Sequence, residues 1–189
     1  MSAESGTPQL MPPVSERDHA AGDPNAPVTL VEYGDYECPH CGAAYPIVKS
    51  IQHRLGKKLR FVFRNFPLAE SHPHARRAAE AAEAAADQGK FWQMHDALFE
   101  NQGQLEDDDI LALARRLKLD ADAIARALEE GTYTARVRSD FRGGVRSGVN
   151  GTPTFFINGE RYDGAWPDED SFVRVLDRAA KANAADATR

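Results

Sequence analysis

The sequence predicts a mixed α/β fold: a small mixed sheet flanked by helices, interrupted by an all-helical insertion. Three observations predict it. Apolar runs at 28–33 and 59–66 bracket an amphipathic stretch, which is the order of a strand–helix–strand unit. Near the end of the chain, apolar Thr154-Phe155-Phe156-Ile157 and then Glu160-Arg161-Tyr162 flank Asn158-Gly159, a two-residue hairpin turn, and a last amphipathic stretch follows. Between these units, residues 71–147 are rich in helix formers and too many for a simple crossover.

The first strand, 28–33, is launched by the turn chemistry of Gly22-Asp23-Pro24-Asn25-Ala26-Pro27 and ends at Gly34. Asp35-Tyr36-Glu37 forms the loop before Cys38. The helix that follows runs to Leu55, with Val48, Ile51 and Leu55 at helical spacing, Pro46 as a kink and Gly56 as a stop. A connecting helix makes the second strand parallel to the first. Ser71-His72-Pro73-His74 reads as the loop that starts the next helix, which runs to Ala86 and breaks at Gly89. Phe91, Met94 and Leu98 share one face of a second helix, with Trp92 and the phenylalanines assigned to packing and His95 read as a packed or surface histidine. Asp107-Asp108-Asp109 opens a third, its acids complementing the helix dipole. Asp120 opens a fourth, which Gly131 ends. A fifth shows Tyr133, Val137, Phe141 and Val145 in steps of four. These helices are expected to form a cap with its own small core. The last helix carries Phe172, Val173 and Leu176.

In domain terms, 27–70 and 148–182 form the sheet domain and 71–147 an inserted helical subdomain. Residues 1–26, rich in Pro, Ser, Gly and acids, read as a partly ordered arm, and 183–189 as a frayed tail. A chain of 189 residues buries a substantial core. Its net charge of −6 argues against a general nucleic-acid or anionic-membrane partner. No apolar run is long enough to span a membrane. The first residues carry neither a basic region nor an apolar core, so the expected location is the cytoplasm unless an export segment was trimmed.

The chemistry-bearing feature is Cys38-Pro39-His40-Cys41, the only cysteines in the sequence, at the strand-to-helix junction. Positions i and i+3 lie on one helix face, within the roughly 4.4–6.8 Å Cα separation that a disulfide closes. Cys38 falls where unpaired N–H groups and the helix dipole favour an anion, so its thiolate is the expected attacking group, with a pKa lowered to about 3.5–7.5. Cys41, one turn deeper, is the expected resolving thiol. Pro39 suits an early helical position because its missing N–H has no partner there. His40 is expected to place a cationic or hydrogen-bonding ring near the sulfur, favouring thiolate and hence the reduced form. The competing reading is half a zinc site, but there is no third cysteine, and His72 and His74 are not at helical ligand spacing. No metal and no organic cofactor are therefore expected.

With Asp35-Tyr36-Glu37-Cys38-Pro39-His40-Cys41, the helical insertion and Gly151-Thr152-Pro153-Thr154-Phe155-Phe156-Ile157-Asn158-Gly159 together, the sequence resembles the DsbA-like branch of thioredoxin-fold thiol–disulfide oxidoreductases. The resemblance implies a thioredoxin fold and a cis Thr152–Pro153 bond beside the cysteines, aligning substrate backbone against Cys38. It also implies a buried acid at Glu32, six residues before Cys38, that shuttles the proton of the resolving thiol. Glu37 gets no role from it. The implied partners are protein thiol or disulfide substrates and a separate redox partner. Similar domains also occur fused to transporters. Two other activities are weighed: a kappa-like glutathione transferase or isomerase, against which Cys41 counts, and a redox-switched chaperone. Phe155, Trp166 and Tyr45 are read either as the rim of an apolar patch near the dithiol or as core.

Overall fold

The computed structural model describes residues 7–186. Five strands form one mixed sheet: β1 (His19–Gly22), β2 (Val28–Gly34), β3 (Leu59–Asn65), β4 (Thr154–Ile157) and β5 (Glu160–Tyr162), in spatial order β1-β3-β2-β4-β5. β2 and β3 are parallel, as the intervening helix α1 (Pro39–Leu55) requires; the other neighbours are antiparallel. The β4–β5 hairpin turns on Asn158 and Gly159, with φ of 50° and 89°, the left-handed pair a tight hairpin demands.

Between β3 and β4 come α2 (Ala75–Asp87), α3 (Phe91–Glu100), α4 (Asp107–Arg116), α5 (Ala121–Glu130) and α6 (Thr134–Arg146); α7 (Glu169–Asp186) closes the fold. The centre of the insertion is α2, which packs against α3, α4, α5 and α6. It is alanine-rich because helices on several sides leave no room for larger side chains: Ala78, Ala79, Ala81, Ala82, Ala84 and Ala85 are all buried.

The two faces of the sheet carry different cores. Leu30, Phe61, Phe63 and Phe155 face α1, α7 and the insertion, whereas Val31, Tyr33, Val62 and Phe156 pack with Leu10 and Phe66. The helical cap does not have the separate core expected of it. Met94, Ile110, Leu113, Ile124 and Leu128 belong to one continuous cluster with the sheet residues Leu30 and Phe61.

Three further expectations are corrected. The segment before Pro27, expected to be a partly ordered arm, is ordered over residues 7–26 and part of the sheet. It supplies β1 as an edge strand, Leu10 N donates to Gly159 O at 2.8 Å, and Asp18 pairs with Arg64 at 2.7 Å with both side chains buried. Residues 1–6 lie outside the described residues. At the other end, helix α7 continues through Asp186 and residues 183–186 are helical; 187–189 lie outside the described residues. In α6, Val145 is 55% exposed, and the buried face is Val137, Asp140, Gly143 and Gly144. A Cβ on Gly144 would stand 2.6 Å from the Phe66 ring and 3.1 Å from Tyr33, so this glycine lets the helix approach the sheet.

Candidate active site

Helix α1 begins at the reactive motif. Cys38 is its N-cap with extended backbone, and Pro39 occupies the first helical position. Cys41 lies on the buried face with Ala44, Val48, Ile51 and Leu55. Both cysteines are free thiols; Cys38 is 4% exposed and Cys41 fully buried. Next to them comes the loop before β4. The Thr152–Pro153 bond is cis, and Cys38 Sγ lies 3.4 Å from Thr152 O.

The two sulfurs are driven apart in acidity. Cys38 is pushed down to about 5, first by a hydrogen bond from the Cys41 thiol and then, against the cost of burial, by Thr152 and the backbone N–H groups of Cys41 and His40. The Thr152 hydroxyl is buried and makes no hydrogen bond; the loop meets the sulfur through the Thr152 carbonyl. Cys41 is raised well above the usual thiol range by burial, by its bond to Cys38 and by the charge of Glu32.

His40 is the second residue of α1. Its ring stands on an exposed residue, and its contribution to the Cys38 thiolate comes through its backbone N–H. Pro39 is exposed beside it.

Glu32 sits on central strand β2, opposite Phe63 on β3 and Phe155 on β4. It is 2% exposed, and its Oε1 has no hydrogen-bond partner. Burial first, then the nearby Cys38 thiolate, push its carboxyl up to about 8. Gly34, two residues on, is held to glycine by the Phe63 ring, 2.4 Å from where a Cβ would stand. A cavity of about 150 Å3 is lined by Glu32, Gln52, Trp92 and His95, together with the partly exposed Lys49–Asp96 ion pair.

Several residues at the site were given no site role by sequence reasoning. Asp35 Oδ1 accepts from the backbone N–H groups of Glu37 and Cys38, and its Oδ2 lies 2.7 Å from His72 Nδ1. Glu37 accepts from His74 N at 2.7 Å and lies 2.8 Å from His74 Nδ1. The Ser71–His74 stretch is thus the expected helix-start loop and also a clasp on the two acids that precede Cys38. Gln102 Nε2 donates to the carbonyls of Tyr36 and Cys38. The Tyr36 hydroxyl and His95 Nδ1 form a buried 3.0 Å hydrogen bond, and burial holds His95 neutral, down to about 3. The signal for the clasp was an acid three residues before Cys38 and two histidines in one short loop, but nothing local joins them. Of the aromatic residues, Phe155 is buried core against Phe172 and Trp166, and Tyr45 stacks on Phe99.

A mixed five-stranded sheet, a helical insertion and an unequal pair of thiols at a helix start define a thioredoxin-fold protein of the dithiol class. A family model described as Thioredoxin matches residues 14–178. The chain belongs to that family. It is similar to BdbD from Bacillus subtilis in its oxidised form, with 26% identity and a TM-score of 0.80 over 93% of this chain and 97% of that one. It is also similar to a thioredoxin-like oxidoreductase from Silicibacter pomeroyi, with 30% identity and a TM-score of 0.77 over 88% and 94% of the two chains. By sequence, it is 47% identical over 88% of its length to a Na(+)/H(+) antiporter, NhaA 1, of Salinispora arenicola, matching 26% of that protein. The chain thus spans about a quarter of the length of the curated relatives it matches. Among the described residues no helix is long and apolar enough to cross a membrane. The expected cytoplasmic location gains no support from these comparisons.

Proposed function

We propose that this protein is a thiol–disulfide oxidoreductase that exchanges disulfides with protein substrates through Cys38 and Cys41. The observation that carries the reading is geometric: Cys38 caps the start of α1 beside the cis Thr152–Pro153 bond, with Cys41 one turn deeper and fully buried, and this pushes the first thiol's pKa down and the second's up. In the reducing direction the Cys38 thiolate attacks a substrate disulfide. A mixed disulfide forms and one substrate thiolate leaves. Glu32 first releases its own proton to the adjoining cavity; Cys41 then gives its proton to that carboxylate and attacks the Cys38 sulfur. The second substrate thiolate leaves, and the Cys38–Cys41 disulfide remains. The oxidising direction is the reverse, and a separate redox partner resets the pair in either case.

Glu32 suits the proton transfer: its carboxyl, at about 8, is matched to neutral pH, and the adjoining cavity offers the proton a way out. Exposed Pro39 and His40 and the Thr152–Pro153 loop frame the place where a substrate backbone would lie. The stabilised thiolate favours the dithiol, which makes the disulfide form oxidising whatever the compartment.

The test is catalysed reduction of insulin by dithiothreitol, together with trapping of covalent substrate complexes. Cys38→Ser is expected to abolish turnover, and Cys41→Ser to accumulate mixed disulfides that dithiothreitol releases. Full activity in Cys38→Ser would rule the mechanism out.

A further inference from the structure

The clasp on Asp35 reaches both halves of the dithiol. Asp35 N donates to Cys41 Sγ at 3.4 Å, and Asp35 Oδ1 accepts from Cys38 N at 3.2 Å. The other carboxylate oxygen accepts from Leu68 N at 2.9 Å and pairs with His72. The Asp35 side chain is wholly buried in this pair and that of His72 only 18% exposed, so solvent screens the interaction weakly. An ionised carboxylate only accepts, so Nδ1 carries a hydrogen and Nε2 is the nitrogen that titrates.

The charged groups bearing on His72 are Asp35 and Glu37 from the loop before α1 and the Cys38 thiolate from the start of the helix. All three are negative. Glu37 is already engaged by His74, from the same loop as His72. His72 is therefore the imidazole that belongs to the Asp35–Cys38 side of this group.

We propose that His72, held by Asp35, is a positioning and charge-setting residue for the dithiol, favouring the reduced form while its ring is protonated. Burial works against the ring's charge, but Asp35, Cys38 and Glu37 outweigh it and raise the His72 pKa. The interaction is reciprocal: whatever the thiolate does for the imidazolium, the imidazolium does for the thiolate. Below the His72 pKa the thiolate is supported and the disulfide is more oxidising. As pH rises through that pKa the support is withdrawn. No new bond is formed; the exchange chemistry remains that of Cys38 and Cys41.

The inference rests on the dithiol being the reactive centre, yet its decisive measurement needs no substrate. The ultraviolet absorbance of the thiolate is titrated in the full chain, and the equilibrium with a glutathione redox buffer is followed across pH. His72→Gln is expected to weaken Cys38 ionisation about three- to tenfold, and to shift the glutathione equilibrium toward disulfide by the same factor near pH 6 and little near pH 9. His72→Lys keeps a charge and is expected to retain the low Cys38 midpoint without the pH step. Asp35→Asn, which releases the ring, moves the step to lower pH and serves if the His72 variants do not fold. A His72→Gln protein with the wild-type midpoint and pH profile would overturn the assignment. So would an equal, pH-independent change in both His72 variants, which marks a merely structural role. A wild type inactive on insulin that keeps a His72-dependent thiolate would sink the oxidoreductase reading instead.

Discussion

Glu32 is the residue whose behaviour depends most on where the chain places it. A glutamate in a half-exposed strand is a solvated charge. Here β2 is central, and alternation turns position 32 toward the same face as Leu30, among Phe63 and Phe155. Its folded pKa of about 8 lies above the unfolded value of about 4.3. Between the two, the folded protein holds a proton that the unfolded chain releases, so Glu32 makes stability fall as pH rises through this window. Glu32→Gln is expected to remove that fall, leaving the reduced variant more stable than wild type at pH 8 by on the order of a few kcal/mol. The same variant is expected to resolve mixed disulfides more slowly. Urea unfolding at several pH values reads the first effect and stopped-flow release of a substrate thiol the second. A stability difference independent of pH would refute the buried-acid assignment.

At the scale of the element, helix α6 shows where periodicity misleads. Steps of four residues drift by about 40° each around a helix of 3.6 residues per turn. A stripe that starts at Tyr133 has therefore rotated toward solvent by Val145, which is exposed. The true contact face includes two glycines, which no hydrophobic pattern marks. Gly144→Val is expected to overpack the Phe66–Tyr33 contact and cost about 1–3 kcal/mol. Val145→Ser is expected to stay within about 0.5 kcal/mol of wild type. A thermal-shift comparison that reversed this order would refute the packing described. Elements with strong local signals behaved as read: Asn158-Gly159 makes its hairpin, and Gly56, with φ of 51°, caps α1. Pro46 sits inside α1 without ending it.

For the whole molecule, the first segment is a structural part of the sheet. It brings Asp18 onto Arg64 and His19 onto Glu83 at 2.9 Å, where Glu83 also accepts from Asn65 and meets Arg136. The Arg64 and Asp18 side chains are only 3% and 6% exposed, so removing Asp18 leaves a buried guanidinium without its counter-charge, held only by Tyr33 and the Pro12 and Pro13 carbonyls. Asp18→Ala is expected to cost about 3–5 kcal/mol in chemical denaturation. The Asp18 pKa is lowered in the fold despite burial, chiefly by the Arg64 hydrogen bond. Its contribution is therefore present above the unfolded carboxylate range and lost as pH falls through the folded value. Because one core cluster joins sheet and insertion, thermal unfolding is expected as a single transition by near- and far-ultraviolet circular dichroism. Two separated transitions would show that the helical insertion is an independent unit.

The sequence by itself determined what depends on neighbours along the chain. Alternating and helical apolar patterns set most elements, Asn-Gly set the hairpin, and Cys-Pro-His-Cys at a strand-to-helix junction set the reactive pair, because a thiol at a helix start meets free N–H groups in any fold. Tertiary structure alone decided what depends on residues far apart: the edge position of β1, the burial of Glu32, the exposed face of α6, and the grip of His72 on Asp35, thirty-seven positions away. Helix and turn preferences act within a few residues, whereas desolvation and charge pairing depend on who arrives from elsewhere, and a one-dimensional pattern carries no record of that.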